Sequence, residues 1–387
     1  MLSKRIVTQK YKIIVNSIFS RYFMGKTNPP PEEQKPLPAP YPYQKNGYGF
    51  WNALFDDTFK RMGENSMIIC IEGPPFVGKT CLAKELASEF DMYYMKSVDL
   101  DMLYINESGY DMRQLDPLLP ESCRSLSWET FWERPQNLNT AALQIITYNL
   151  KYAQYINALI HLLNTGQGVV VDGSSVFSDF VFLEAMHEHG FVSDGARSVY
   201  CDFLKSSIHE LLKPHLILYL NIATKDICDR IKTCGEDYQK TSPLLDTKYF
   251  NTVNCLLKQE FLTRISKHCE VLIYDWTHFG DTEIVVEDIE RVNFDKYKNK
   301  ATYNPHESKL ADWRQLRTNW DWNFARIKYT NEKDKLLAIN IPRYDVPELV
   351  IPAEDFRKKL QIWMNAPGMK YQYGYDSDKG DKVLFKW

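Results

Sequence analysis

Four short apolar runs rich in β-branched residues punctuate the middle of the chain, at 67–72 (MIICIE), 169–172, 216–222 and 271–274. Runs this short, without polar alternation, fit strands buried on both faces, as in a parallel sheet. Between them, at about 79–90, 139–164, 178–189, 224–233 and 247–267, apolar residues recur at steps of three and four, which predicts helices. Strands alternating with helices predict an α/β fold, a three-layer doubly wound parallel sheet. In the longest helical stretch, Leu143, Ile146, Leu150, Ala153, Ile156, Ile160 and Leu163 form a stripe expected to face the core. About 100° round the wheel, Gln144, Tyr148, Lys151 and Tyr155 share an adjacent face. That face either lines a base-binding slot or is an ordinary half-exposed surface.

From about residue 295 the alternation stops. The tail holds Trp313, Trp320, Trp322, Trp363 and Trp387, several Pro-bounded segments and a Tyr-Gly run at 371–375. Little repetitive structure is expected there. Its aromatic residues favour docking on another surface or packing back over the chain's own domain. Residues 29–43 are Pro-dense and predict an extended linker or a strap over a partner. The expected organisation is a leader over 1–28, a strap over 29–64, a P-loop domain over 65–290 and an irregular, aromatic-rich extension over 291–387.

Composition narrows the classes. A chain of 387 residues, 44% hydrophobic and 25% charged, can bury one full α/β core with material left over. A net charge of −3 provides no overall basic field for nucleic acid. No window approaches the roughly 18 apolar residues of a membrane span. The eight cysteines are scattered singly, which suits buried small side chains in a reducing compartment rather than a zinc or disulfide framework. Before Glu32 the chain holds Lys4, Arg5, Lys10, Lys12, Arg21 and Lys26 among isoleucines and no acidic residue. That composition is expected of a mitochondrial import peptide, the alternative being a basic surface helix that stays attached.

The chemistry is concentrated at 73–80, where GPPFVGKT completes the pattern G-x-x-x-x-G-K-[ST] directly after a strand and before a helix. Backbone N–H groups at a helix N-terminus cradle phosphate oxygens, the lysine neutralises terminal phosphates, and the threonine hydroxyl can hold Mg²⁺. Pro74 and Pro75 have no N–H, so the donors must start at Phe76 and run through Gly78, Lys79 and Thr80, with Gly73 opening the turn.

Taken with 71–73 leading into the loop, 131–139 ahead of the long helix with Gln144, 163–168 running into 169–172, and 176–186, the domain resembles the deoxynucleoside kinases over about 65–275. Including 365–371 (NAPGMKY), the chain is similar to its end to the kinase-related accessory subunits of mitochondrial respiratory complex I. The resemblance implies that Gln144 stands where the kinases pair with a nucleobase and that Asp179 shares that pocket. Lys151 falls where they have an arginine, keeping the charge without the planar fork. It also makes Arg230 the one arginine of the lid segment 229–241, otherwise served by Lys232 and Lys240.

Three departures follow from the same comparison. Active kinases carry an acidic-Arg-Ser triplet after the third strand, but 172–175 reads DGSS; whether Asp172 or Gly173 takes the acidic place is left open by a one-residue insertion. No Glu-Pro pair occurs in 94–99, where the general base is expected, and Asp99 is the substitute at hand. The lid is thin in arginine. A single placed arginine is worth roughly 10³ to 10⁵ in phosphoryl transfer, so binding is expected to outlive turnover. The resemblance thus implies a non-catalytic accessory subunit on the matrix side of the inner membrane, among the other subunits of complex I and not as a homodimer. A bound nucleotide, ATP or a deoxynucleotide with Mg²⁺ at Thr80, is the expected cofactor, without flavin or iron–sulfur cluster. The competing expectation is an active deoxynucleoside kinase, with Asp99 as base and Lys151 and Arg230 supplying charge.

Overall fold

The structure, a computed structural model, describes residues 37–294 and 309–369 apart from 57, 247, 317, 343 and 344. The expected leader at 1–28, the Tyr-Gly run and Trp387 lie outside the described residues. By contacts the chain divides into residues 1–38 and 39–387. Only Leu37 and Pro38 of the first unit are described, and the sheet and all the helices belong to the second.

Five parallel strands build the sheet: β1 (Ile68–Glu72), β2 (Tyr93–Met95), β3 (Val169–Val171), β4 (Leu216–Asn221) and β5 (Glu270–Asp275), in the order β2-β3-β1-β4-β5. The three central strands come from the densest apolar runs and are almost wholly buried. β2 left no apolar run to read because it is a three-residue edge strand with Tyr93 exposed. The order reverses between β1 and β3, and a crevice opens where strands on either side of such a point send their connections to opposite faces. Helix α1 (Lys79–Glu89) packs on one face, with Thr282–Arg291 outside it; α2 (Thr140–Thr165) packs against β1 and β3. Right-handed crossovers put connections running in opposite directions along the sheet on opposite faces, which gives three layers.

α2 is buried nearly all round, and the face carrying Gln144, Tyr148, Lys151 and Tyr155 is more deeply covered than Ile146, Leu150 and Ala153 of the expected core stripe. Helix α3 (Asp179–Glu188) and helix α4 (Asp194–Ser207), the latter not expected from the sequence, pack on each other, and α4 also packs on α2. The helix expected over 247–267 is interrupted. An α-helix over Lys248–Leu256 widens to a π-turn over Leu257–Phe261 and resumes at Leu262–Ile265. Val253, Leu257, Phe261 and Ile265 recur every four residues and are all buried. Steps of four drift around an α-helix, and the wider turn takes up that drift.

The tail is more regular than expected. It contains α5 (Asn319–Asn331) and α6 (Ala353–Met364), and α5 lies against α2. Thr318 caps α5 by accepting from Asp321 N, while the Asp321 carboxylate accepts from Thr318 N. Arg326 is buried in the middle of this packing. Its guanidinium donates to Asp56, to the Tyr48 hydroxyl and to Asn164 Oδ1, and lies 3.7 Å from the Tyr48 ring centre. Asn331 closes the same contact from both sides, accepting from Tyr48 N at 2.7 Å and donating to Tyr48 O. From Tyr41 on, the strap lies on its own domain: Tyr41 N donates to Asn164 O at 3.0 Å, and the Tyr43 hydroxyl meets His161 Nδ1 at 2.9 Å.

Candidate functional site

The loop after β1 and the turn after β3 meet at the crevice. Gly73 and Gly78 hold φ values of +147° and +98°, and a Cβ on Gly73 would sit 2.7 Å from Leu220 O. Phe76, also of the loop, has φ +60°, costly for a side chain with a Cβ and tolerated where the surroundings impose it. Lys79 opens α1 and folds back to donate to Gly73 O at 3.0 Å and Pro74 O at 2.7 Å. Its surroundings push its pKa down to about 8, burial outweighing the nearby Glu72 and Asp172 carboxylates.

Thr80 Oγ1 lies 3.2 Å from Asp172 Oδ1, and the Tyr94 hydroxyl donates to Asp172 Oδ2 at 2.8 Å. Two hard oxygen donors so placed fit Mg²⁺, which keeps waters and phosphate oxygens as its other ligands. Among the described residues no group of three His, Cys, Asp or Glu side chains gathers around a metal position, so such a cation would depend on phosphate and water. Glu72, at the end of β1, accepts from Ser175 N at 2.9 Å and Ser178 Oγ at 2.7 Å, binding the β3 turn to the loop strand. Burial raises its pKa and the serine bonds oppose that.

Arg230 reaches the loop from the helix Thr224–Cys234, but from behind. It donates to Val77 O at 3.0 Å and to Trp276 O and Thr277 O at 2.8 and 2.9 Å, with its guanidinium 4.7 Å from the Phe279 ring centre. It therefore braces the loop with bonds that backbone carbonyls already occupy. Asp99 keeps to its own turn, accepting from Asp101 N and standing 3.8 Å from Lys96. It opens onto a cleft of about 270 Å³ with Arg113, Asp116, Trp128 and Tyr238, where Arg113 is held by Asp101 and Asp111.

The remaining expected site residues converge behind the β3 turn. Asp179, wholly buried, accepts from Lys151 Nζ at 2.7 Å, Gln144 Nε2 at 3.0 Å and the Tyr200 hydroxyl at 2.8 Å. Tyr148 bonds Ser207 and Tyr155 donates to Leu212 O, so the polar face of α2 is neither open nor half-exposed but closed on internal partners. Among its polar atoms Gln144 Oε1 is left without a partner.

Sequence reasoning missed Glu72, Tyr94, Tyr200 and Phe279. For Tyr200 a signal existed: Ser193 caps α4, and Ala196, Val199, Tyr200 and Phe203 follow at helical spacing. Tyr94 and Phe279 gave none, since each acts only through tertiary contact.

The deoxynucleoside kinase family model matches residues 69–306. Over 341 residues, covering 87% of the chain and 89% of the relative, the chain is 31% identical to the mouse (Mus musculus) protein named NADH dehydrogenase [ubiquinone] 1 alpha subcomplex subunit 10, mitochondrial. The chain belongs to the deoxynucleoside kinase family, in its subunit 10 branch. The cattle (Bos taurus) subunit 10 is 32% identical over 336 residues, covering 86% of the chain and 90% of the relative. Deoxyguanosine kinase from Dictyostelium discoideum is 28% identical over 238 residues, 62% of the chain and 74% of the relative. The subunit 10 alignments exceed the family match by more than the residues before 69 can supply, so they run on into the tail.

Proposed function

We propose that this member of the kinase family is an accessory subunit of mitochondrial respiratory complex I that binds a nucleotide at 73–80 and does not phosphorylate nucleosides. One observation carries the reading: the residues that would hold an acceptor base are bonded to each other instead. Gln144, Lys151 and Tyr200 all direct their donors to Asp179 in a buried cluster. A nucleoside that drew on Lys151 or Asp179 would compete with a buried ion pair, and separating such a pair costs about 3 to 5 kcal/mol. The residues of a phosphate cradle are all present at 73–80, which supports binding. Such a site stabilises the fold in proportion to the logarithm of nucleotide concentration over its Kd, without any turnover.

The relatives' names support the assembly, and the extension of the match beyond the kinase part supports a role for head and tail in it. Within the complex we place the chain on the matrix face of the inner membrane, as a single copy, with ATP or a deoxynucleotide and Mg²⁺ at Thr80 and Asp172. No helix among the described residues is long and apolar enough to cross a membrane. The test is a panel of deoxynucleosides with labelled ATP, alongside mass spectrometry of nucleotide extracted from the purified chain. Absent turnover with recovered nucleotide is expected. Phosphorylated nucleoside above background, abolished by Lys79→Ala, would reinstate an enzyme.

A further inference from the structure

Among the described residues most aromatic side chains are covered, but a set of rings on two neighbouring elements is not. Phe50 is 56% exposed, Trp51 74% and Phe55 85%, all on helix Phe50–Phe55 of the strap; Trp320 is 47% and Phe324 64% exposed on α5. Four of them are linked ring to ring, and Phe55 lies one turn along the same helix from Trp51. Phe50 stacks on Trp320 with centres 6.1 Å apart, Trp320 contacts Phe324 at 6.2 Å, and Phe50 meets Trp51 edge-on at 5.7 Å.

We propose that this aromatic patch is the face by which the chain docks on an apolar surface of another subunit, an inference that rests on the accessory-subunit reading. Area favours a lasting interface over chance exposure. At roughly 150–250 Å² per aromatic side chain, the five rings leave on the order of 600 Å² in water. Each side of a standard stable interface buries about 800 Å², so the rings supply most of one half.

Charge selects the kind of partner. The strap helix FWNALF carries no charged residue, and of the carboxylates beside the rings Asp56 is paired inward to Arg326 and Asp321 is taken up by the Thr318 cap. An acidic lipid surface attracts basic clusters around inserted rings, and this helix offers none. The matching surface is therefore uncharged and apolar, rich in aliphatic or aromatic side chains, as at interface cores.

Provenance points the same way. Both halves of the patch, 50–55 and 320–324, lie outside residues 69–306 matched by the kinase family, while the subunit 10 similarity extends beyond them. The Arg326 contacts with Asp56 and Tyr48 hold the two halves together, so the face exists before any partner arrives.

The test uses the full chain, expressed in cells lacking the native protein, with Trp51→Ser/Phe55→Ser compared with wild type. Native electrophoresis of mitochondrial membranes reads incorporation, and thermal unfolding of the purified chains reads the fold. Expected is a wild-type chain migrating with the respiratory complex and a variant at least tenfold depleted from it, with an unchanged melting temperature. Phe55→Gln alone, at the most exposed ring, serves if the double variant unfolds. A variant incorporated at the wild-type level overturns the docking face; a wild-type chain absent from the complex overturns the accessory-subunit reading instead. Purified wild type sedimenting as a dimer, with the variant monomeric, would assign the face to a second copy and overturn the proposal. So would wild-type binding to phosphatidylcholine vesicles doped with phosphatidylserine that the variant loses.

Discussion

Single side chains in this molecule have titration behaviour set by where they are packed. His215 accepts a hydrogen bond from Ile68 N through Nδ1 and lies under Trp313, and burial lowers its pKa to about 3. Between pH 3 and 6.5 the unfolded chain binds the proton and the folded chain does not, so stability rises with pH across that window. On the order of 4 kcal/mol is lost on acidification through it. Urea unfolding from pH 7 to pH 4 checks this, and His215→Gln should flatten the acid limb. Lys79 behaves likewise on the alkaline side. Its pKa drops from 10.5 to about 8, so the unfolded chain holds more protons there and stability climbs between pH 8 and 10.5. A phosphate needs the charged ammonium, so nucleotide binding draws a proton in and weakens as pH rises above 8. Calorimetry in buffers of different ionisation enthalpy should show that uptake at pH 9 in wild type and none in Lys79→Met, whose affinity should be at least tenfold lower.

Among the elements, α2 and α3 are joined by the Lys151–Asp179 pair, which was legible only in part. Gln144, Lys151 and Asp179 stood out by resemblance, but their spacing fits a lined slot as well as a sealed one. Only the placement of α4, which supplies Tyr200, decides between them. Asp179→Leu alone should cost about 3 to 5 kcal/mol, because it leaves a buried ammonium without its partner. The double change Lys151→Met/Asp179→Leu should recover most of that, and equilibrium denaturation of all four chains gives the coupling. The loop at 73–80 could be located in full because its pattern occupies eight consecutive residues between a strand and a helix. β2 was not, since an edge strand of three residues leaves no apolar run. The cap of α5 was on view as Thr318 and Asp321 and was masked by the surrounding tryptophans.

For the whole molecule, the tail is part of the fold it follows. Arg326 is 2% exposed and α5 covers one side of α2, so removing residues 309–387 would uncover apolar surface and strand Asp56. The truncated chain is expected to aggregate on expression or to melt at least 10 °C lower, as differential scanning calorimetry would show. Loss from the complex would then reflect unfolding, which is why the docking test relies on exposed rings. Arg326→Leu should cost about 3 to 5 kcal/mol without touching the nucleotide loop. The sheet and its layers could be foreseen from periodicity; the return of the tail onto the strap could not, because the residues that join are 278 apart in the chain.

That separation has a consequence for how the protein is born. At a ribosome, at roughly 5–20 residues per second, and again at a membrane pore, the chain emerges amino end first, so Tyr48 and Asp56 are out well before Arg326. The sheet, whose last strand ends at Asp275, has all its strands before Arg326 arrives, while the amino-terminal aromatic helix stays unlatched. Completion of the chain, rather than completion of the sheet, is the event that finishes the folded state.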